Sequence, residues 1–221
     1  MKDEEQPPAV ELLNTLGDER YGEPGSAADE RGLRAWLADA GDRRPDEDDA
    51  ALFHSVLRDS VLDDSVLGDS VLADPALGDS ALDVAGLRRL RDALRVVAAR
   101  VAGATPTVAA APELGADEAL GLLNQVSGAA RWWFELDTAA GAPTLVRRGS
   151  ATGSAALLGR LAEDGIHVFA GELLACTAPA CWRYFTRSDP RRQWCSAVCG
   201  NRARVARHYA RQQAARSAHT G

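Results

Sequence analysis

No cysteine occurs in the first 175 residues of this 221-residue chain; all four lie between positions 176 and 199. A secreted disulfide scaffold would spread its cysteines, whereas clustered thiols in a reducing compartment point to metal or redox chemistry. The chain has no run of about 18 apolar residues, so no transmembrane helix is expected. Its N-terminus, MKDEEQPP, is acidic and carries no apolar leader segment, so a cytoplasmic protein is expected. Lysine is missing from Cys176 onward. In that stretch nine arginines face one acid, Asp189, a charge of +8. The whole chain carries −7, so the preceding residues carry −7 − 8 = −15. An acidic body with a basic tail directs the tail towards nucleic acid or an acidic partner.

What is present is ordinary for a globular protein. Apolar residues make up 46% and charged residues 26%, and the length suits one domain plus a small appendage. Val10, Leu12, Leu13 and Leu16 predict a short helix ended by Gly17. Leu33, Trp36, Leu37 and Ala40 recur at i, i+3, i+4, i+7 and predict a second helix closed by Gly41, with a turn-rich stretch between them. Residues 84–102 predict a longer helix: Val84, Leu87, Leu90, Leu94, Val97, Ala98 and Val101 hold its apolar positions. Its arginines, Arg88, Arg89, Arg91 and Arg95, are expected on a solvated face. An Ala/Pro/Thr-rich linker follows, and Asp117 is placed to cap a short helix through Leu123. Residues 131–148 predict a β-hairpin whose adjacent Trp132 and Trp133 are expected to lie one in the core and one under a neighbour. A helix from Leu157 to Phe169 is expected, interrupted near Gly165.

Residues 55–83 repeat every five residues, beginning Ser-Val-Leu-Arg-Asp. Period five matches neither helix nor strand. The pattern resembles pentapeptide-repeat solenoids, but six pentads make little more than one coil, and solenoids need several. The segment reads as a low-complexity insertion without chemistry of its own.

The cysteines carry the clearest chemistry. Four residues separate Cys176 from Cys181, thirteen separate Cys181 from Cys195, and three separate Cys195 from Cys199. Two close pairs at this separation have the spacing of a structural zinc site, and four thiolates leave no open position for catalytic water. Two disulfides, or a redox-sensitive site, are the alternatives; His167 and His208 are candidate substitute ligands. Four thiolates around Zn²⁺ sum to −2, so the tail stays cationic when loaded. Trp182, Tyr184, Phe185 and Trp194 are expected to form the module's small core. Ser188-Asp189-Pro190 reads as a turn between two strands, and Ser196 as the cap of a helix starting at Ala197. That order of knuckle, hairpin and ligand-bearing helix is the layout of a treble-clef finger. On the helix, Arg204, Arg207 and Arg211 share a face suited to phosphates and guanine edges, while Ala203, Ala206 and Ala210 line another. Arg191 and Arg192 extend the basic patch. A solvated basic face, or docking on an acidic surface, including the chain's own body, is the alternative.

The run Trp194-Cys195-Ser196, then Cys199-Gly200-Asn201-Arg202, resembles the CGNR zinc finger. The Cys176–Cys181 knuckle, Tyr184-Phe185 and Arg191-Arg192 also fit its pattern, and Leu12-Leu13-Asn14-Thr15 looks like the opening motif of the ABATE domain that precedes such fingers. The resemblance implies an α+β protein. An ABATE-like domain, mostly helical with a β-hairpin, would span residues 1–54 and 84–170, interrupted by the insertion at 55–83. A treble-clef-like four-cysteine finger ending in a basic helix would span 171–221. It also implies one structural zinc and a role in stress-induced transcriptional regulation, largely in bacteria. Asn201 is expected to brace the knuckle, as part of the structural set with Trp194, and Arg202 to brace it or contact DNA. DNA is the expected partner, through Arg191, Arg192, Arg202, Arg204, Arg207 and Arg211, with the first domain left for sensing or dimerisation. A zinc-stabilised module binding an acidic protein is the second expectation. No catalytic residue is expected, since the body shows no nucleophile elbow, phosphate loop or metal-binding histidine cluster.

Overall fold

Six helices and two small antiparallel sheets occur among the residues that the computed structural model describes: 6–16, 25–42, 83–103, 113–138, 141, 143–171, 173–187 and 189–219. Most of the five-residue repeat lies outside them. The α+β architecture expected from the sequence is observed.

Helix α1 (Pro8–Thr15) starts on a proline, whose fixed φ suits the first helical turn, and buries Ala9, Val10, Leu12 and Leu13. Helix α2 (Ala27–Asp42) opens with Asp29 and Glu30 in its first turn, where acids complement the helix dipole. The Ser26 hydroxyl accepts the Asp29 N–H at 3.1 Å. Leu33, Trp36, Leu37 and Ala40 are all buried, as their spacing requires. Helix α3 (Val84–Val101) is capped by the Asp83 carboxylate, which accepts the Gly86 N–H at 2.7 Å. Helices α4 (Ala116–Ala129) and α5 (Gly153–Ala170) complete the body. Helices α3, α4 and α5 pack on one another, α1 packs on α3 and α5, and α2 lies against α1.

Several expectations are corrected here. Asp117 does not cap α4: the helix begins at Ala116 after Gly115, and Asp117 stands exposed in its first turn. Helix α5 runs unbroken through Gly165. A Cβ there would lie 2.4 Å from Leu94 Cδ2, so the glycine permits close packing of α5 on α3 and does not break the helix. The arginines of α3 do not form a solvated face. Arg91 is 1% exposed and Arg95 3%. Arg91 forks onto Asp29 of α2, with Nη1 donating to Oδ1 at 2.6 Å and Nη2 to Oδ2 at 3.1 Å. Arg88 adds an Nε bond to Asp29 at 3.1 Å. A bidentate guanidinium–carboxylate pair answers the desolvation that would otherwise forbid such burial. Only Arg89 of the four is exposed.

The expected hairpin is formed by β1 (Trp132–Asp137) and β2 (Thr144–Gly149), registered with Trp132 opposite Gly149 and Asp137 opposite Thr144. Neither tryptophan enters the core; both are exposed. The second sheet pairs β3 (Leu173–Ala175) with β4 (Tyr184–Thr186) and leads into the final helix, α6 (Ala197–His219).

Candidate metal centre and basic helix

Strands β3 and β4 flank the first cysteine pair, so the sheet closes the loop that holds Cys176 and Cys181. The Cys176 N–H donates to Arg183 O at 2.9 Å, carrying the ladder one step past the strands. Within the loop the Cys181 N–H donates to Ala178 O at 3.1 Å, and Ala180 adopts a left-handed φ of 55°. This placement corrects the expected hairpin: β4 lies between the two cysteine pairs as expected, but its partner is β3, ahead of the first pair, and no second strand lies between β4 and Cys195 among the described residues. Residues 189–196 form turns, in which Asp189 accepts the N–H groups of Arg191 (through Oδ1) and Arg192 (through O), both at 2.9 Å.

Those turns deliver Cys195, and α6 delivers Cys199 in its first turn. The Ser196 hydroxyl accepts the Cys199 N–H at 3.2 Å, the capping role expected for it. The four sulfurs all lie within 4.8 Å of one another. Cys181 and Cys195 are 3.7 Å apart, Cys195 and Cys199 3.5 Å, and Cys181 and Cys199 3.7 Å. A tetrahedron with Zn–S bonds of about 2.3 Å sets its sulfurs about 3.8 Å apart, so the donor set fits one structural zinc. All four cysteines are free, which excludes the disulfide alternative in this arrangement. Hydrogen bonds from the Cys181 and Cys195 thiols pull Cys176 down to about 2, and their reciprocal effect pushes Cys181 up to about 11 and Cys195 upward as well. So crowded a set becomes four thiolates together only with a cation among them. Neither candidate histidine joins the cluster. His167 is exposed beside Glu163, and His208 lies within hydrogen-bond distance of Gln212 on the outer part of α6.

The residues around the cluster have separable duties. Gly200 lets the Trp194 ring approach the helix; a Cβ there would come within 3.1 Å of Trp194 Cε3. Arg202 Nη1 donates to Pro179 O at 3.0 Å, tying α6 to the first knuckle. Asn201 is exposed and makes no side-chain hydrogen bond among the described residues, so the visible brace is Arg202. Arg192 donates to the carbonyls of Trp194 and Cys195 and stacks over Phe185 at 5.3 Å, which binds the second knuckle together. The small core of the finger consists of Phe185, Ala178, Ala203 and the cysteines, with Leu174 and Trp194 against it. Tyr184 belongs instead to the core of the body, and half-buried Trp182 turns its indole N–H towards Asn14 O at 3.4 Å.

Sequence reasoning missed how firmly body and finger are joined. Asn14 of α1 pairs with the backbone of β4 as a further strand would: its Nδ2 donates to Tyr184 O at 2.8 Å, and its Oδ1 accepts the Tyr184 N–H at 2.9 Å. Gln6 Oε1 accepts the Thr186 N–H at 2.8 Å. Arg95 donates to Trp182 O at 2.6 Å and lies 4.7 Å over the Tyr184 ring. Burial lowers its guanidinium to about 10, which still leaves it charged at neutral pH. The signal was present in the Leu-Leu-Asn-Thr run, where an asparagine interrupts an otherwise buried helical turn.

Beyond the knuckle, α6 carries no acid. Arg204, Arg207, Ala210 and Arg211 line one shallow concavity. Arg207 also stacks over Trp194 at 5.7 Å. Of the expected alanine face, Ala203 is buried, Ala206 half-buried and Ala210 exposed, so packing holds only the first turns of the helix. Arg191 stands exposed on the turn before the second knuckle.

Comparison with protein families agrees with this division. Residues 6–172 match ABATE, described as "Putative stress-induced transcription regulator", and residues 173–212 match the CGNR zinc finger. No curated protein and no solved structure matches the chain significantly.

Proposed function

The chain belongs to the ABATE family and carries a CGNR zinc finger, and on that premise we propose that it is a non-enzymatic regulator that binds duplex DNA through α6. The observation that carries the proposal is the common concavity of Arg204, Arg207 and Arg211. None of the three forms an ion pair among the described residues. A guanidinium stripe on an exposed helix without acids is a phosphate-binding surface and releases counterions on contact. Arg191 extends it. Arg192 and Arg202 act one step back: their guanidinium groups hold the knuckles in place and so aim the helix. When bound, zinc supplies no reaction; it closes the finger. The body helices and the four thiolates of the finger are then assigned to scaffolding.

The test is duplex binding by the zinc-loaded chain across a salt series. Replacing Arg204, Arg207 and Arg211 with alanine together should abolish measurable binding at physiological salt. Substituted singly, each should shallow the log–log salt slope by about one. Zinc content should not change. A triple variant with wild-type affinity counts against the proposal. Retention of an acidic protein by the same surface, with no duplex retained, would favour a protein-interaction module instead.

A further inference from the structure

The β1–β2 hairpin is a two-stranded sheet with no further strand among the described residues. An isolated hairpin is marginal in water and gains stability from a third strand or a covering layer. One of its faces is mainly apolar: Trp132, Phe134, Leu136 and, across the register, Leu145 share it, with Arg147, opposite Phe134, the one charged residue at these positions. Trp132 is anchored at the base, where its indole donates to Glu163 of α5 at 2.7 Å and stacks edge-on to Phe134 at 5.2 Å. Exposure then rises outward: Phe134 is 55% exposed, Leu145 68% and Leu136 69%. That is on the order of 400 Å² of contiguous apolar surface counting aromatic side chains at their usual size, at the scale where a patch marks an interaction site.

We propose that this hairpin is a homodimer interface, in which β1 pairs antiparallel with β1 of a second copy about a two-fold axis at Phe134. The residue order of β1 singles out that register. With Phe134 opposite itself, Trp132 falls opposite the partner's Leu136 and Arg131 opposite the partner's Asp137. Apolar residues then meet apolar residues on one face, and an ion pair closes each end on the other. A shift by one residue would place apolar side chains on both faces and break the match. Self-pairing through β2 is disfavoured, because Thr144–Gly149 contains two arginines and no acid. The two-fold axis stands perpendicular to the sheet, so the α5 helices of both copies flank the same apolar face. Each copy's Leu136, at the open tip, comes to rest beside the partner's Trp132 and α5. The result is a four-stranded sheet with its unpaired β1 edge removed and a self-complementary contact, as an isologous dimer requires.

The experiment is sedimentation equilibrium on the full zinc-loaded chain. The wild type should weigh twice the 23.4 kDa of one chain. Phe134→Lys with Leu136→Lys should sediment as a monomer, with unchanged far-UV circular dichroism and zinc content. Asp137→Arg alone should weaken association about tenfold through like charges at both ends of the interface, and adding Arg131→Asp should restore it. A wild type that is monomeric at every concentration overturns the proposal, as does a dimer that survives the double lysine substitution. Failure of the charge swap to restore association overturns the register. DNA binding is not part of the readout, so this interface stands or falls independently of the function proposed above.

Discussion

Asp29 is the residue on which the packing of α2 onto α3 turns. Its carboxylate is buried, which by itself would raise its pKa, but hydrogen bonds from Arg91 and from the Gly25 N–H, with the charges of Arg91 and Arg88, outweigh burial and hold it below the usual carboxylate value. A folded-state value below the unfolded one means that the ionised carboxylate stabilises the fold above about pH 4 and that this contribution is lost as pH falls through the lowered value. Asp29→Asn leaves the Arg91 charge buried and uncompensated and should cost about 3 kcal/mol at neutral pH, read from urea unfolding. The gap between variant and wild type should narrow as pH falls below about 4. Replacing the pair together, Asp29→Leu with Arg91→Met, should cost less than Asp29→Asn alone, because no orphaned charge remains. Ala180 offers the opposite kind of change. Its φ of 55° is unfavourable for a residue with a Cβ. Ala180→Gly should therefore stabilise the knuckle by somewhat under 1 kcal/mol, after the added freedom of the unfolded chain is subtracted, and raise zinc affinity by a similar factor.

At the scale of elements, the two halves of the finger are held unequally. Strand β4 is fastened to the body through Asn14, Gln6 and the stacking of Arg95 over Tyr184. Helix α6 relies on Cys199, the Gly200–Trp194 contact, Ala203 and the Arg202 bond to Pro179. Most of its 23 residues are exposed, and a helix of this length with so little packing is marginal alone. Removing zinc with a chelator should melt α6 first while β4 stays ordered. Hydrogen exchange reads this directly: amides after Cys199 should lose protection while Tyr184 and Thr186 keep theirs. Simultaneous loss at both places would show that the metal, and not the body, holds β4.

At the scale of the whole molecule, body and finger form one unit, because β4 joins the finger's sheet to the core of the body at Tyr184. Thermal loss of body helix and release of zinc to a chromophoric chelator should therefore coincide in the wild type. Asn14→Leu strips two backbone groups of their partner and should cost about 2 kcal/mol. In that variant zinc release should precede body unfolding by several degrees. Coincident transitions in the variant would mean that Asn14 is not the clamp. A rigid joint also fixes the direction in which α6 leaves the body, and in a two-fold dimer the spacing of two such helices would be set by the fold.

Spacing alone determined a good deal of this protein. The cysteine intervals specify a four-sulfur site because two tight turns can present sulfurs to one ion whatever surrounds them. The apolar period of 84–102 specifies a helix, and Ser196 specifies where α6 starts, because caps and periodicity are local. Arg88, Arg91 and Arg95 show where local reading fails. Their i, i+3, i+7 spacing says that they share a face, but that it meets partners and not water depends on Asp29, about sixty residues before Arg88 and Arg91, and on Trp182 and Tyr184, which lie far beyond Arg95 in the chain. Trp132 and Trp133 fail in the other direction: their apolar character suggests burial, yet both are exposed, and Trp132 meets the body at the hairpin's base through Glu163. Gly165 and Asn14 were legible only as a weak helix former and a polar interruption. Packing of α5 on α3 makes the first a close-approach point, and the approach of β4 to α1 makes the second a clamp, since partners brought together from opposite ends of the chain exist only once it has folded.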